Sequence, residues 1–173
     1  RQLAAGVGAG QTLSVLGLDI SKWAVLSAAK QDKRPNWVVG SNANLPVLPG
    51  TMDRVLCMFG FPVYAEFARV LKPGGLLLQV DTGSDHLREL REIIYPSLKA
   101  ERTEVMPTPA GFADPLSETL HFGLHVSGAE QIADLLAMTP HLYRATAEGR
   151  ARAAALTEIS LTVDVRLSIF ERL

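Results

Sequence analysis

The chain has 173 residues, of which 47% are hydrophobic and 20% charged, with a formal net charge of −1. This length allows one well-packed domain and is too short for two large ones. The near-neutral charge excludes a domain that holds nucleic acid mainly through a strong overall positive field. No apolar run is long enough to cross a bilayer, and the single cysteine excludes an internal disulfide or a multi-cysteine zinc site. We therefore expect one cytoplasmic domain over residues 1–173, with no membrane partner.

The first segment raises the question of whether its glycines form a cofactor loop. Residues 1–5 have a helical pattern, and alternating glycines follow from Gly6 to Gly10. A dinucleotide loop follows a strand directly and precedes its acidic partner by about twenty residues, whereas Asp19 lies only 13 positions after Gly6. The spacing therefore indicates that the glycines connect a helix to the next strand, at 13–18.

Asp19 ends that predicted strand. A carboxylate at the carboxyl end of a parallel strand is well placed to hold the hydroxyls of a nucleoside ribose. The alternative is that Asp19 caps the following helix, but Ser21 can serve as that cap. The helix is expected to run through Lys30, with its apolar positions recurring at helical spacing. These positions are Trp23, Leu26 and Ala29 or Lys30.

The middle of the chain alternates short apolar strands with helices. Strands are predicted at 36–39, at 52–59 and at 76–80, and the second is so apolar that we expect it to be buried on both faces. A helix is predicted at 63–71, stopped by the sequence Lys-Pro-Gly-Gly, and an amphipathic helix at 86–98. This alternation is typical of an α/β fold with a mostly parallel sheet and helices on both faces.

The pattern changes in the C-terminal part. Residues 99–117 contain three prolines and no clear period, which predicts a long connection or lid. Strands are then predicted at 120–126 and 161–170, with helices between them at 127–138, capped by Ser127, and at 145–159. Two closing strands separated only by helices favour an antiparallel pair at the edge of the sheet.

Few other residues suggest chemistry. His121 and His125 share one face of a predicted strand, and no carboxylate clearly partners them, so we expect no metal site. Cys57 lies in the middle of an apolar strand and is expected to be inert.

Several segments together resemble a known family. The sequence Leu-Lys-Pro-Gly-Gly before a strand is frequent among S-adenosylmethionine-dependent methyltransferases of the Rossmann-like class. The combination of segments resembles the bacterial large-subunit (23S) ribosomal RNA guanine-N(1)-methyltransferases, a family that includes macrolide-resistance members. The segments are GLDISKWAV at 17–25, SNANLP at 41–46, EFARVLKPGG at 66–75, GSDHLREL at 83–90 and MTPHLYRA at 138–145.

The resemblance implies S-adenosylmethionine as cofactor and ribosomal RNA as partner, with a homodimer among the assemblies left open. The family's four-cysteine zinc module precedes its methyltransferase domain and is not found here, so zinc is expected only in that module. The family's first glycine motif is expected before residue 1, which would make the domain N-terminally incomplete.

The resemblance also assigns site residues. Asp19 would contact the cofactor ribose and Ile20 the adenine, while Phe59 and Gly60 would end the strand nearest the transferred methyl group. His86 would reach the cofactor's amino-acid end or the reaction centre. The residues expected beside the adenine ring are Asn42, Ala43 and Leu45.

The chemistry requires two further groups. Guanine N(1) carries a proton at neutral pH, and Asp81, Asp85 and His86 are the candidate proton acceptors. A base within folded RNA must be exposed and stacked on a flat wall, for which the segment 59–62 is the candidate, with Phe61 and Pro62 binding the substrate. The alternative is a buried strand end followed by a turn.

Arg144 is expected to contact RNA phosphate or the guanine edge. The alternatives to a ribosomal RNA enzyme are a small-molecule methyltransferase and a methyltransferase fold that binds without turnover.

Overall fold

A computed structural model describes residues 13–97 and 107–173. None of the helices in these ranges is long and apolar enough to span a bilayer. The glycines from Gly6 to Gly10 lie outside them, so their interpretation as a connector stays a prediction. The strands are β1 (Leu16–Asp19), β2 (Asn36–Val39), β3 (Met52–Met58), β4 (Leu71–Thr82), β5 (Leu116–Ser127) and β6 (Glu158–Glu171). The helices are α1 (Lys22–Gln31), α2 (Tyr64–Val70), α3 (Arg88–Ile94), α4 (Ala129–Ala137), α5 (His141–Arg144) and α6 (Ala147–Ala154).

The described strands form two sheets. In the smaller sheet β1 and β2 pair in parallel. The larger sheet has the order β3-β4-β6-β5, in which β3 and β4 are parallel and the other two pairs antiparallel. The α/β class and the antiparallel C-terminal strands are therefore confirmed. In open α/β sheets ligands bind at the carboxyl ends of parallel strands, which here are the ends of β1 and β2 in the smaller sheet and of β3 and β4 in the larger one.

One apolar core lies under α2. Phe67 on the helix packs with Leu77 of β4 and with Phe170 of β6. Phe112 joins this core and is only 3% exposed, so part of the predicted connection at 99–117 is core structure rather than lid. The irregular backbone of this segment does not prevent burial of the Phe112 ring, because burying an aromatic ring removes a large apolar area from water.

A second core forms between α3, α4, α6 and the first half of β6. Leu90 and Ile94 of α3 contact Ile132 of α4 and Leu161 of β6. Short helices are held by such packing rather than by their own propensity. This core fixes the position of α3, which follows the carboxyl end of β4.

The prediction that the strand at 52–59 is buried on both faces was wrong, and α1 buries a position other than those at the predicted helical spacing. In α1 the buried residue is Val25, while Trp23 is 78% exposed. In β3 only Cys57 is buried, and Leu56 and Met58 are exposed. In the described residues β3 is an edge strand, so the sheet covers it on one side only. The sequence shows that a segment is apolar but not how much of it a neighbour covers.

The C-terminal helices also differ from prediction. Gly128, with φ of 103°, precedes α4, and Ser127 provides no side-chain cap. The helix predicted at 145–159 is the shorter α6, whose cap is Thr146: its hydroxyl accepts a hydrogen bond from the Gly149 N–H at 3.0 Å. The additional short helix α5 was not predicted.

Candidate functional site

The carboxyl end of β1 presents an exposed carboxylate. Asp19 is exposed, and its Oδ1 accepts a hydrogen bond from the Ser21 N–H at 2.7 Å. Ser21 itself caps α1, since its hydroxyl accepts from the Ala24 N–H. Ile20 beside it is 78% exposed. The helix cap is thus a separate residue, as predicted, and the described residues give the second oxygen of the exposed Asp19 no hydrogen-bond partner.

The loops that follow β2 and β3 meet. The Asn42 amide donates a hydrogen bond to the Phe61 carbonyl at 3.0 Å. A Cβ added at Gly60 would lie 3.7 Å from the Asn42 amide nitrogen and 3.4 Å from the Cys57 sulfur. Residues predicted on the adenine side of a cofactor therefore contact the loop predicted near its methyl group.

A pair of charged residues on α2 holds the loop that carries Asn42. Glu66 accepts a hydrogen bond from the Leu45 N–H at 2.9 Å. Arg69 bonds to Glu66 and also donates to the carbonyls of Leu45 and Val47. The Arg69 guanidinium and the Leu45 N–H together lower the pKa of Glu66 to about 2. Sequence reasoning missed this clamp, for which the only signal is the spacing of Glu66 and Arg69 by one helical turn.

Glu66→Gln tests the clamp. The charge is lost, so we expect the Leu45 amide to exchange its hydrogen faster than in the wild type. Because the pKa of Glu66 is lowered in the folded state, its stabilisation is present above pH 4.5 and is lost as pH falls from 4.5 towards 2. Denaturant unfolding measured across this pH range should show no such loss of stability in Glu66→Gln. Glu148→Gln, a change at a carboxylate that is 84% exposed, is the control and should keep it.

An aromatic pair lies at the carboxyl ends of β3 and β4. The rings of Phe59 and His86 stack with centroids 6.0 Å apart and planes 27° from parallel. Phe59 has φ of 51°, a left-handed conformation that costs a non-glycine residue about 1 kcal/mol. It is 56% exposed, and Phe61 is 87% exposed. Strained and exposed aromatic residues at strand ends are typical of a ligand-binding edge.

The tautomer of His86 follows from its hydrogen bond. Its Nδ1 accepts from the Asp164 N–H at 3.3 Å, so a neutral ring carries its proton on Nε2. Burial lowers the pKa of His86, the charge of Arg91 adds to this, and Asp164 partly opposes it. The neutral imidazole therefore presents an N–H donor. Accepting a proton at Nδ1 would cost it the Asp164 bond.

The turn before α3 is bound to the part of β6 that extends beyond the end of β4. The Gly83 N–H donates to the Asp164 carbonyl, and the Thr162 N–H donates to the Glu89 carboxylate, both at 2.8 Å. The buried Asp164 carboxylate also accepts from the Asp85 N–H at 3.0 Å. These bonds continue the sheet ladder beyond the end of β4 and fix the turn that carries His86.

The three candidate proton acceptors have different surroundings. Asp85 forms an ion pair with Arg88 at 2.7 Å. Asp81 accepts a hydrogen bond from the Gln79 amide at 2.6 Å and lies at the carboxyl end of β4. Among the three, the described residues show Asp85 in an ion pair and His86 with its acceptor nitrogen occupied, and they show neither for Asp81.

Basic groups gather beside His86. His141 on α5 bonds through Nδ1 to the Tyr95 hydroxyl at 3.0 Å. Burial, and then the charges of Arg91, Arg144 and His86, lower the pKa of His141. Arg144 is exposed on the same helix. The charges of Arg91 and of the predicted substrate residue Arg144 thus both act on His141.

Comparisons with known proteins agree on the fold. Residues 2–79 match a family model described as a methyltransferase domain. A solved structure from Bacillus halodurans, described as "a putative methyltransferase", aligns with a TM-score of 0.51 at 18% identity, over 92% of this chain and 83% of that one. The chain has the α/β fold of S-adenosylmethionine-dependent methyltransferases.

Curated relatives of this methyltransferase fold act on different substrate classes by name. "Putative 23S rRNA (guanine-N(1)-)-methyltransferase YxjB" of Bacillus subtilis is 40% identical over 50% of this chain. A Micromonospora griseorubida protein with the same description, apart from the designation YxjB, is 31% identical over 97% of it. The chain spans 31% and 59% of their respective lengths. A Coxiella burnetii malonyl-[acyl-carrier protein] O-methyltransferase is 31% identical over 68% of this chain and 45% of its own length.

The other predicted site residues have these places in the methyltransferase fold. Ala43 donates its N–H to the Ser41 hydroxyl and is exposed, and Pro62 is half-buried beside Phe61. His125 Nδ1 contacts the Ser160 hydroxyl at 3.2 Å. In residues 13–97 and 107–173 no group of three or more candidate ligands is arranged to hold a metal ion.

Two substitutions separate the roles of His86. His86→Ala removes both the ring that stacks on Phe59 and the acceptor for the Asp164 N–H, so we expect methyl transfer to fall by about tenfold or more. Its free energy of unfolding should fall by about 1 kcal/mol. His86→Asn restores an acceptor without a ring, so unfolding should recover while transfer stays low. Full transfer in His86→Ala would contradict a role at the reaction centre.

Proposed function

We propose that this chain transfers a methyl group from S-adenosylmethionine to N(1) of guanine in large-subunit ribosomal RNA. The observation that supports it most is the Micromonospora relative, whose similarity extends over 97% of this chain. The described site is compatible with the cofactor. It offers an exposed carboxylate at the end of β1, an exposed apolar side chain beside it, and an aromatic pair at the ends of β3 and β4.

Residues at the ends of β1 and β2 are proposed to hold the adenosine part of the cofactor. Asp19 accepts hydrogen bonds from the ribose hydroxyls through the oxygen that Ser21 does not use, and Ile20 packs on the adenine. Asn42 and Ala43 line the ring edge, and Leu45 is held below them by Glu66. The cofactor supplies an electrophilic methyl group on a sulfonium. The protein aligns donor and acceptor and excludes water.

The base must leave its stack before N(1) can be reached. Phe61, which is 87% exposed, and Pro62 provide a flat wall for the extruded base. Phe59 and His86 lie at the methyl end of the site, with the His86 Nε2–H available as a donor. Asp81 accepts the N(1) proton, since Asp85 is paired with Arg88.

The charge distribution supports a nucleic-acid substrate despite the net charge of −1. The charges of Arg91 and Arg144 both act on His141, as does His86, and Arg144 is exposed. Phosphate contacts by arginine orient a nucleic acid without reading its sequence. A local cluster of this kind needs no overall basic charge.

The test uses the full chain with a labelled methyl donor and unmodified ribosomal RNA. We expect label in RNA and a reverse-transcription stop at one guanine, because a methyl group on N(1) blocks base pairing. Label only in small metabolites would refute the ribosomal RNA substrate. S-adenosylmethionine binding without any transfer to RNA or metabolites would instead support a fold that binds without turnover.

A small-molecule methyltransferase is the second candidate. The Coxiella relative and the near-neutral charge favour it. A salt titration distinguishes the two, because an RNA enzyme should lose activity steeply as the salt concentration rises. A small, uncharged substrate gives no such dependence.

A further inference from the structure

Polar residues occupy two neighbouring rungs on one face of the larger sheet, at Asp81 and at the rung before it. Opposite residues on neighbouring strands point to the same face. Asp81 of β4 lies opposite Arg166 of β6, which lies opposite Thr119 of β5. The next rung consists of Gln79, Ser168 and Ser117.

The same face becomes apolar one rung further on, where Leu77 lies opposite Phe170 in the core under α2, and the opposite face carries apolar pairs. Val80 lies opposite Leu167, and Leu78 lies opposite Ile169. The polar rungs therefore form a defined patch rather than a generally polar strand end. We call the patch of Gln79, Asp81 and Arg166 the polar floor.

The polar floor is ordered around Asp81. Gln79 is only 6% exposed, and its amide N–H holds one Asp81 oxygen at 2.6 Å. The buried Oε1 of Gln79 has no hydrogen-bond partner in the described residues. Burial raises the pKa of the Tyr64 hydroxyl, on which Gln79, Asp81 and Arg166 all act. Tyr64 begins α2, directly after the loop that carries Phe61 and Pro62, so the polar floor adjoins the proposed base wall.

Asp81 and Arg166 have opposite charges and lie directly opposite each other, yet no ion pair joins them within the part of the chain that the structure describes. A carboxylate beside a guanidinium offers a hydrogen-bond acceptor next to a set of hydrogen-bond donors. The N(1)–H and O6 of guanine are a donor next to an acceptor. The two patterns are complementary. Adenine presents the reverse pattern, an acceptor at N1 beside an amino donor.

We propose that Arg166 is a specificity-determining residue that binds guanine O6 while Asp81 accepts the N(1) proton; this inference rests on the proposed function. The N(1)–H bond breaks and its proton passes to Asp81, while the resulting charge spreads onto O6 beside the guanidinium. N(1) then forms a bond to the methyl carbon. The carbon–sulfur bond breaks, and its electron pair stays on sulfur. Gln79 is a positioning residue that orients Asp81.

The test compares Arg166→Gln with Arg54→Gln, a change at an exposed arginine near the opposite end of the sheet. Removing a donor to developing charge is expected to lower kcat/KM on RNA by about 10²-fold. The loss should shrink at alkaline pH, where the base releases its N(1) proton without help. S-adenosylmethionine binding and denaturant unfolding should be unchanged, and Arg54→Gln should behave as the wild type.

The outcomes separate this inference from the proposed function. If the wild-type chain methylates no guanine, the proposed function fails. If it methylates guanine and Arg166→Gln is as active, the role of Arg166 is refuted. An Arg166→Gln loss that is equal at all pH values, or that comes with weaker cofactor binding or lower stability, also refutes it. Gln79→Glu, which places a second carboxylate beside Asp81, should shift the pH profile to more alkaline values, while Gln79→Leu should lower kcat more than it raises KM.

Discussion

Replacing Gly83 with alanine is expected to destabilise the domain and to reduce methyl transfer by about 10²-fold. A Cβ at this position would lie 2.1 Å from the Asp164 carboxylate. That carboxylate cannot simply swing aside, because it is buried and accepts a hydrogen bond from the Asp85 N–H. Displacing it leaves this N–H without a partner and shifts the backbone that donates to His86, at a cost of about 1–3 kcal/mol.

The matched control is Gly123→Ala. Gly123 lies on β5 with nothing within 4 Å of an added Cβ, so the same change should leave unfolding and transfer almost as in the wild type. Chemical denaturation and methyl-transfer assays on both variants measure the difference. Equal behaviour of the two variants would show that the turn between β4 and α3 does not depend on close packing against Asp164.

Local signals in the sequence predicted the elements that position the site. The strand at 36–39 has the predicted bounds, and Ser21 caps α1 as expected. Asp19 ends β1 because an apolar run and a polar capping residue lie on either side of it. These features depend on residues only a few positions apart, which is why the pattern contains them.

The sequence pattern could not predict contacts between residues that lie far apart in the chain. Asp164 contacts the His86 turn from 78 positions away, and Arg69 reaches the Leu45 carbonyl from 24 positions away. Neither pair has a periodicity that indicates it. The polar alternation of β6 was visible, but only the strand order shows that Arg166 lies opposite Asp81.

Backbone strain was also absent from the sequence signal. Phe59 and Leu87 both have φ of 51°, although neither is a glycine or an asparagine. Such conformations persist only when the surroundings impose them. Here they flank the two strand ends of the candidate site, where Phe59 turns its ring towards His86.

Gly149→Ala is expected to destabilise the domain, although it adds a better helix former. Helix propensity alone would make the change favourable by about 0.5–1 kcal/mol. However, an added Cβ would lie 2.0 Å from the Ile94 carbonyl oxygen, which is a backbone atom of α3. The helices must then separate, and overpacking of this kind costs about 1–3 kcal/mol. The packing term is larger, so the net sign is destabilising.

Ala151→Gly provides the control on the same helix, because Ala151 is exposed. That variant should lose only the propensity term, about 0.5–1 kcal/mol, and denaturant midpoints give both values. A stabilised Gly149→Ala would mean that α6 does not pack on the end of α3. Because α3 carries Arg91 and α5 precedes α6 directly, separation of these helices should also weaken the RNA binding proposed above. Cofactor binding at the β1 end should remain unchanged, since Asp19 ends a strand of the other sheet and Ile20 follows it directly.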